Sequence, residues 1–174
     1  MDVKRKWLVL VLLILVMVLL YMKFFTMILD SKDSARVNEK TYPYLSDYED
    51  REILIESVDH IFIGEVLEEA GHEWTDDTPH TQFTIRLTQN IKGSILGDIT
   101  VNQPGGYYKE KGSLKLLKYK GDSLLKPGEM YLFAATVNTE SGWYDILPVY
   151  GSIKIKTEEQ KLLLIEEFTE AMAK

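Results

Sequence analysis

There is no cysteine anywhere in the 174-residue chain. That excludes disulfides, thiolate metal ligands, a cysteine nucleophile and a lipidated-cysteine anchor. Histidine is scarce, with three residues, and no pair of them has the spacing of a zinc helix. No nucleophile elbow, phosphate-binding loop or dinucleotide fingerprint occurs. No catalytic residue and no cofactor is therefore assigned. Positive charge is in deficit: 20 Lys and Arg stand against 27 Asp and Glu. Residues 1–29 hold four of the basic residues (Lys4, Arg5, Lys6, Lys23) and one acidic residue (Asp2), so the remainder is net −10. A surface of that sign does not adhere to nucleic acid or anionic lipid by its bulk field.

What is present first is a long apolar run, Trp7 to Leu29, interrupted only by Lys23. A helix needs about 20 such residues to cross a bilayer core of ~30 Å. Lys23 sits near the outer end, where its stem can snorkel. Lys4, Arg5 and Lys6 lie tight against the other end and favour its retention in the cytoplasm. The expectation is a single-pass anchor over 7–29, a cytoplasmic stub over 1–6 and an extracytoplasmic C-terminal domain. The alternative is a cleaved signal peptide. The run is longer than the usual h-region, and the best cleavage site, ending at Ala35, has Asp33 in an unfavourable position.

Residues 30–45 are polar and read as a linker. The domain then occupies 46–174. Ser46 with Glu49 predicts a capped short helix over 46–57. Residues 59–69 are β-rich, with Gly64 marking a bulge or sharp bend and His60 a strand boundary. Residues 70–80 read as a loop. Its His72, Glu73, Asp76, Asp77 and His80 are the densest patch of metal-ligand side chains, yet they match neither a zinc nor an EF-hand spacing.

Thr81 to Thr88 alternates, with Phe83, Ile85 and Leu87 on one face. Residues 98–102 form another strand, ended by Pro104-Gly105-Gly106 as a turn. Met130 to Val137 is apolar on both faces and predicts a central strand. Residues 143–149 and 151–156 complete the β set. Thr157 and Gln160 cap a C-terminal helix over 157–173, with Leu164, Ile165, Phe168, Ala171 and Met172 on its apolar face.

Residues 107–126 are the one locally basic region. Tyr107, Tyr108, Lys109, Lys111, Lys115, Lys118 and Lys120 are the candidate ligand-binding residues, because lysines with interleaved rings suit polyanions. The competing reading is an edge hairpin whose lysines block strand-to-strand aggregation.

The expected fold is mainly β, a small OB-like barrel with flanking helices, preceded by one N-terminal transmembrane helix. Five segments carry a resemblance: IFIGEVLEE (61–69), FTIRLTQNIKG (83–93), ITVNQPGG (99–106), LLKPGEMYLFAA (124–135) and GWYDILPVYGSIKI (142–155). In this order they resemble the netrin/tissue-inhibitor-of-metalloproteinase-like OB barrels in their bacterial extracytoplasmic form. The resemblance implies the fold over roughly 50–156. The animal inhibitors' metal-chelating cysteine has no counterpart here. The functional expectation is a membrane-anchored, non-enzymatic module binding a protein or other envelope component. The alternatives are a polyanion binder using the lysine hairpin (nucleic acid, teichoic acid or lipid head group, with nucleic acid disfavoured) and an envelope hydrolase.

Overall fold

Two strands with apolar residues on both faces organise the domain, because each strand sends successive side chains to opposite sides. The computed structural model describes residues 3–29, 32–44 and 46–173. Its elements are helix α1 (Val3–Leu29), strand β1 (Arg36–Lys40), helix α2 (Arg51–Glu56), β2 (His60–Thr75), β3 (Thr78–Lys92), β4 (Asp98–Pro104), β5 (Gly106–Glu110), β6 (Ser113–Tyr119), β7 (Met130–Val137), β8 (Tyr144–Ile146), β9 (Ser152–Ile155) and helix α3 (Glu158–Met172). The mainly β expectation with flanking helices holds.

The chain divides into two compact units. One comprises Met1–Val37 with Tyr107–Leu116; the other comprises Asn38–Gly106 with Leu117–Lys174. In the first, α1 exposes its apolar side chains from Val9 to Met22. No helix among the described residues is long and apolar enough to cross a membrane. The anchor expected over 7–29 is thus not carried by this description.

In the second unit, β2, β3, β4, β8 and β7 follow one another in a sheet, and β2 pairs back onto β7. The five strands therefore close on themselves, and β9 adds to β7. The β4–β8 pairing is parallel, while the other pairings in the ring are antiparallel. Closure removes the free edges that invite aggregation.

One core cluster contains Phe62, Val66, Phe83, Ile85, Val101, Tyr131, Phe133, Ala135 and Ile146, drawn from all five ring strands. The other contains Ile61, Ile63, Leu132 and Ala134 with Leu54, Ile55, Val58, Ile155, Leu164 and Phe168, so it lies between the β2–β7 face and the helices. β2 and β7 contribute alternate residues to both, which is why Met130–Val137 has no polar face. Gly64 stands at a register shift, and a Cβ there would overlap Ile85 Cγ2 and crowd the Arg86 carbonyl. The expected bulge is present and needs a residue without a side chain.

Several local expectations change. α2 starts at Arg51, capped by Asp50, whose carboxylate accepts from Glu52 N at 2.9 Å; Ser46 and Glu49 do not form the cap. Its other end is held by Lys92, whose Nζ donates to Ile55 O (2.7 Å) and Val58 O (2.5 Å). Such a cation suits the unpaired carbonyls of a helix C-terminus.

The stretch expected as a linker, 30–45, contains β1 and an aromatic staple. Tyr44 donates to Pro148 O at 2.7 Å and meets the Tyr48 and Tyr150 rings edge-on. Burial, with lesser repulsion from Tyr150, Asp122 and neighbouring rings, holds the Tyr44 hydroxyl well above its ordinary pKa. β4 does end at Pro104, as expected, and Gly105 follows at φ 110° with its N–H donating to Pro79 O at 2.8 Å. α3 begins as expected: Thr157 accepts from Gln160 N at 3.1 Å. Leu164 and Phe168 are its buried residues, while Met172 is exposed.

Candidate functional site

The stretch expected as a loop, 70–80, is mostly strand. β2 and β3 continue to a turn at Asp76-Asp77, both at positive φ (49° and 57°), the backbone of a tight hairpin turn. Strand register sets Glu73 opposite His80. His72 turns to Glu69, with Nε2 2.9 Å from its carboxylate, whereas His80 meets Asn102. Among the described residues, no group of three or more His, Cys, Asp or Glu could hold a metal ion.

The lysine candidates are divided between the two units. Tyr107, Tyr108, Lys109, Lys111 and Lys115 belong to the first unit; Lys118 and Lys120 belong to the second. Lys111 turns the β5–β6 hairpin at φ 49° beside Gly112. Lys115 is paired with Glu110, and Lys118 with Glu39 at 3.1 Å. The Tyr107 ring lies under Lys32, 5.0 Å away.

The described residues instead converge at one end of the ring. A cleft of ≈ 470 Å³ is lined by Glu73, Thr75 and His80 from the β2–β3 hairpin, by Asn102 and Pro104 from β4, and by the β7–β8 connection with its flanks. From the last come Thr136, Asn138, Glu140, Ser141, Trp143 and Asp145, with Ile146, Leu147 and Pro148 beneath. Tyr42 closes one side. A second recess of ≈ 210 Å³ shares Tyr42, Thr75, His80 and Pro104 with it.

Strand register builds the cleft floor. Gln82 lies opposite Asn102 on β3–β4, Asn102 opposite Asp145 on β4–β8, and Asp145 opposite Thr136 on β8–β7. This row carries a chain of hydrogen bonds. Gln82 Nε2 donates to Asn102 Oδ1 at 2.9 Å, and Asn102 Nδ2 donates to Asp145 Oδ1 at 2.7 Å. Asp145 can only accept as a carboxylate, so the Asn102 amide nitrogen must face it. The same nitrogen lies 3.0 Å from His80 Nδ1, which must then accept. The neutral His80 ring therefore carries its proton on Nε2. Burial lowers the His80 pKa, against the opposing pull of Asp145, Glu73 and Asp76.

The rim is equally ordered. Asn138 Oδ1 accepts from Glu140 N (3.1 Å) and Ser141 N (3.2 Å), and its Nδ2 donates to Asp145 Oδ2 at 3.3 Å. Ser141 Oγ accepts from Trp143 N at 3.2 Å. One asparagine thus ties the rim loop to the floor.

Acid should loosen this end of the molecule. A buried neutral histidine binds fewer protons folded than unfolded. Its contribution is complete above the unfolded value of 6.5 and is lost as pH falls through the lower folded value. Asp122 acts in the other sense: burial raises its pKa, so protonation in acid favours the fold. Thermal unfolding of the full chain from pH 7.5 downward should show a falling midpoint. His80→Gln, whose amide oxygen can still accept from Asn102, should flatten that fall. An identical slope in the variant would remove His80 as its source.

The sequence reading did not single out Asn102, Asn138 or Asp145, and it placed His80 in a loop. The available signal was Gln82 and Asn102, polar residues directly beside the apolar positions Phe83 and Val101. No protein-family model and no characterised protein matches the chain.

Proposed function

We propose that the chain is a membrane-tethered extracytoplasmic binding module, built on an OB-type barrel, that takes its ligand in the cleft between the β2–β3 hairpin and the β7–β8 loop. The observation that carries this reading is the location of the cleft. The five ring strands run in the order β2-β3-β4-β8-β7, with the β4–β8 pair parallel. An OB barrel binds across its second and third strands, between the loops joining strands one to two and four to five. Here those elements are β3 and β4, the tip of the β2–β3 hairpin and the 138–143 loop, and they line the cleft. The five segments that resemble the netrin-like family supply these strands in order.

The tether is read from the apolar run Trp7–Leu29, which has about the 20 residues a bilayer core requires, and the basic cluster at 4–6 favours an N-terminus inside. Confinement to a surface raises effective concentration, so modest affinity suffices. Binding is preferred to hydrolysis because two of the cleft's titratable groups, His80 and Asp145, are held by amides. His80 Nδ1 faces Asn102, and both Asp145 oxygens face asparagine nitrogens. That arrangement orients groups without pairing a base to a nucleophile.

The test is site-specific photo-crosslinking of the full chain in intact cells. A crosslinker at exposed Ser141, on the cleft rim, should yield a discrete adduct. The same group at exposed Lys111, in the β5–β6 turn, should not. No adduct from position 141, or equal adducts from both, would overturn the reading. Protease added to whole cells should cleave the region after α1, and full protection would reverse the topology.

A further inference from the structure

On the premise that this cleft is the binding site, we infer that its ligand is an uncharged oligosaccharide. The charge of the lining excludes anions. Glu73, Glu140 and Asp145 face the cleft, and no Lys or Arg does so among the described residues. Phosphate, nucleic acid and acidic polymers would meet only repulsion there.

The donor and acceptor inventory separates sugars from cations. An ammonium group only donates. It would satisfy the carboxylates but leave the His80 Nε2–H without an acceptor. A sugar hydroxyl both donates and accepts. It matches a lining that mixes His80, the Asp145 carboxylate and the Thr136 and Ser141 hydroxyls. Several hydroxyls on one rigid ring can meet such a mixed set at once.

The apolar part of the lining fits the same ligand. Trp143 and Tyr42 bring aromatic rings to the lining, and Ile146, Leu147 and Pro148 add apolar surface beside the polar groups. A pyranose has this amphipathic form, with C–H faces and a hydroxyl rim. Large apolar bodies with placed polar groups are what small-ligand clefts of ~300–1,000 Å³ generally present. The adjoining recess continues past His80 and Pro104, which extends the groove for a chain rather than a single sugar. The Asn138 bonds hold the rim before any ligand arrives, which lowers the ordering cost of binding.

The experiment uses the full chain in phosphatidylcholine nanodiscs, titrated with chitotetraose and cellotetraose, with tetralysine and tripolyphosphate as comparators. Calorimetry and tryptophan fluorescence supply the readouts. At least one tetrasaccharide should bind saturably, perturb the emission of Trp143, and do so with little dependence on salt. Trp143→Ala removes the ring, and Thr136→Trp fills the cleft from an exposed position opposite Asp145. Each should weaken binding tenfold or more while the circular dichroism spectrum is kept. Binding of neither sugar, binding of tetralysine or tripolyphosphate instead, or affinity that survives both variants would overturn the assignment. If position 141 captures an envelope component in cells while neither sugar binds, the ligand class alone is wrong. If it captures nothing, the premise falls with it.

Discussion

Phe133→Ala should lower the stability of the full chain by about 3–5 kcal/mol, the usual cost of truncating a fully buried aromatic. Phe133 is 0% exposed and its ring stacks on Phe62 with centroids 5.2 Å apart. Tyr131 lies against the same ring at 5.8 Å. The residue belongs to β7, which pairs with β2 along one edge and with β8 and β9 along the other. The surrounding strands are cross-linked on both sides and cannot collapse into the void, which places the cost toward the upper end. Domains of this size hold a net ~5–15 kcal/mol, so a large share of the margin would go. Urea unfolding of the wild type and the variant in the same detergent measures it. Leu163→Ala, at an exposed position on α3, serves as the control and should change stability by no more than about 0.5 kcal/mol. A Phe133→Ala cost below about 1 kcal/mol would mean that the ring interior is not packed as described.

The second large effect is expected at Asn102. Asn102→Ala removes three contacts together: the acceptor of Gln82, the donor to Asp145 and the donor to His80. Gln82 is 5% exposed and cannot turn to water. An orphaned buried polar group costs about 1–3 kcal/mol, and a carboxylate left short of a donor costs at the upper end. The expected loss is roughly 2–4 kcal/mol. It should be accompanied by a weaker acid dependence, because His80 no longer has an amide hydrogen on Nδ1. The double variant with His80→Gln should lose less than the sum of the singles, the signature of one shared network. Strict additivity would show that the two residues act independently.

How much of this could be read from the residues varies with the kind of signal. Strong periodicity was legible. Met130–Val137 is a strand facing two cores, Thr157 caps a helix, and Gly64 marks a bulge. The start of α2 was misread because Ser46 and Asp50 are both competent caps, and only tertiary contacts through Lys92 and Arg51 select between them. The Ala70–His80 segment was misread because its polar composition outweighed its strand register: β2 and β3 pair up to Thr75 and Thr78. Tyr42 and Tyr44 were assigned to a linker because the partners that bury them, Tyr119 and Tyr150, lie far away in the chain. The cleft floor was invisible for the same reason. Gln82, Asn102 and Asp145 come from three strands, and only register aligns them in one row. Lysines, by contrast, stand out in a sequence whether or not they face the same way.

The pairing of β2 with β7 has a kinetic corollary. Ile61, Ile63 and Phe62 must wait for Leu132, Ala134 and Phe133, which emerge only after the whole β3–β6 portion has been synthesised. Contacts so distant along the chain are slow to form. A nascent strand that is oily on both sides is the segment most exposed to mispairing in the interval. The maturing polypeptide would thus depend most on a holding factor, or on rapid delivery through a translocation channel, before its last strands arrive.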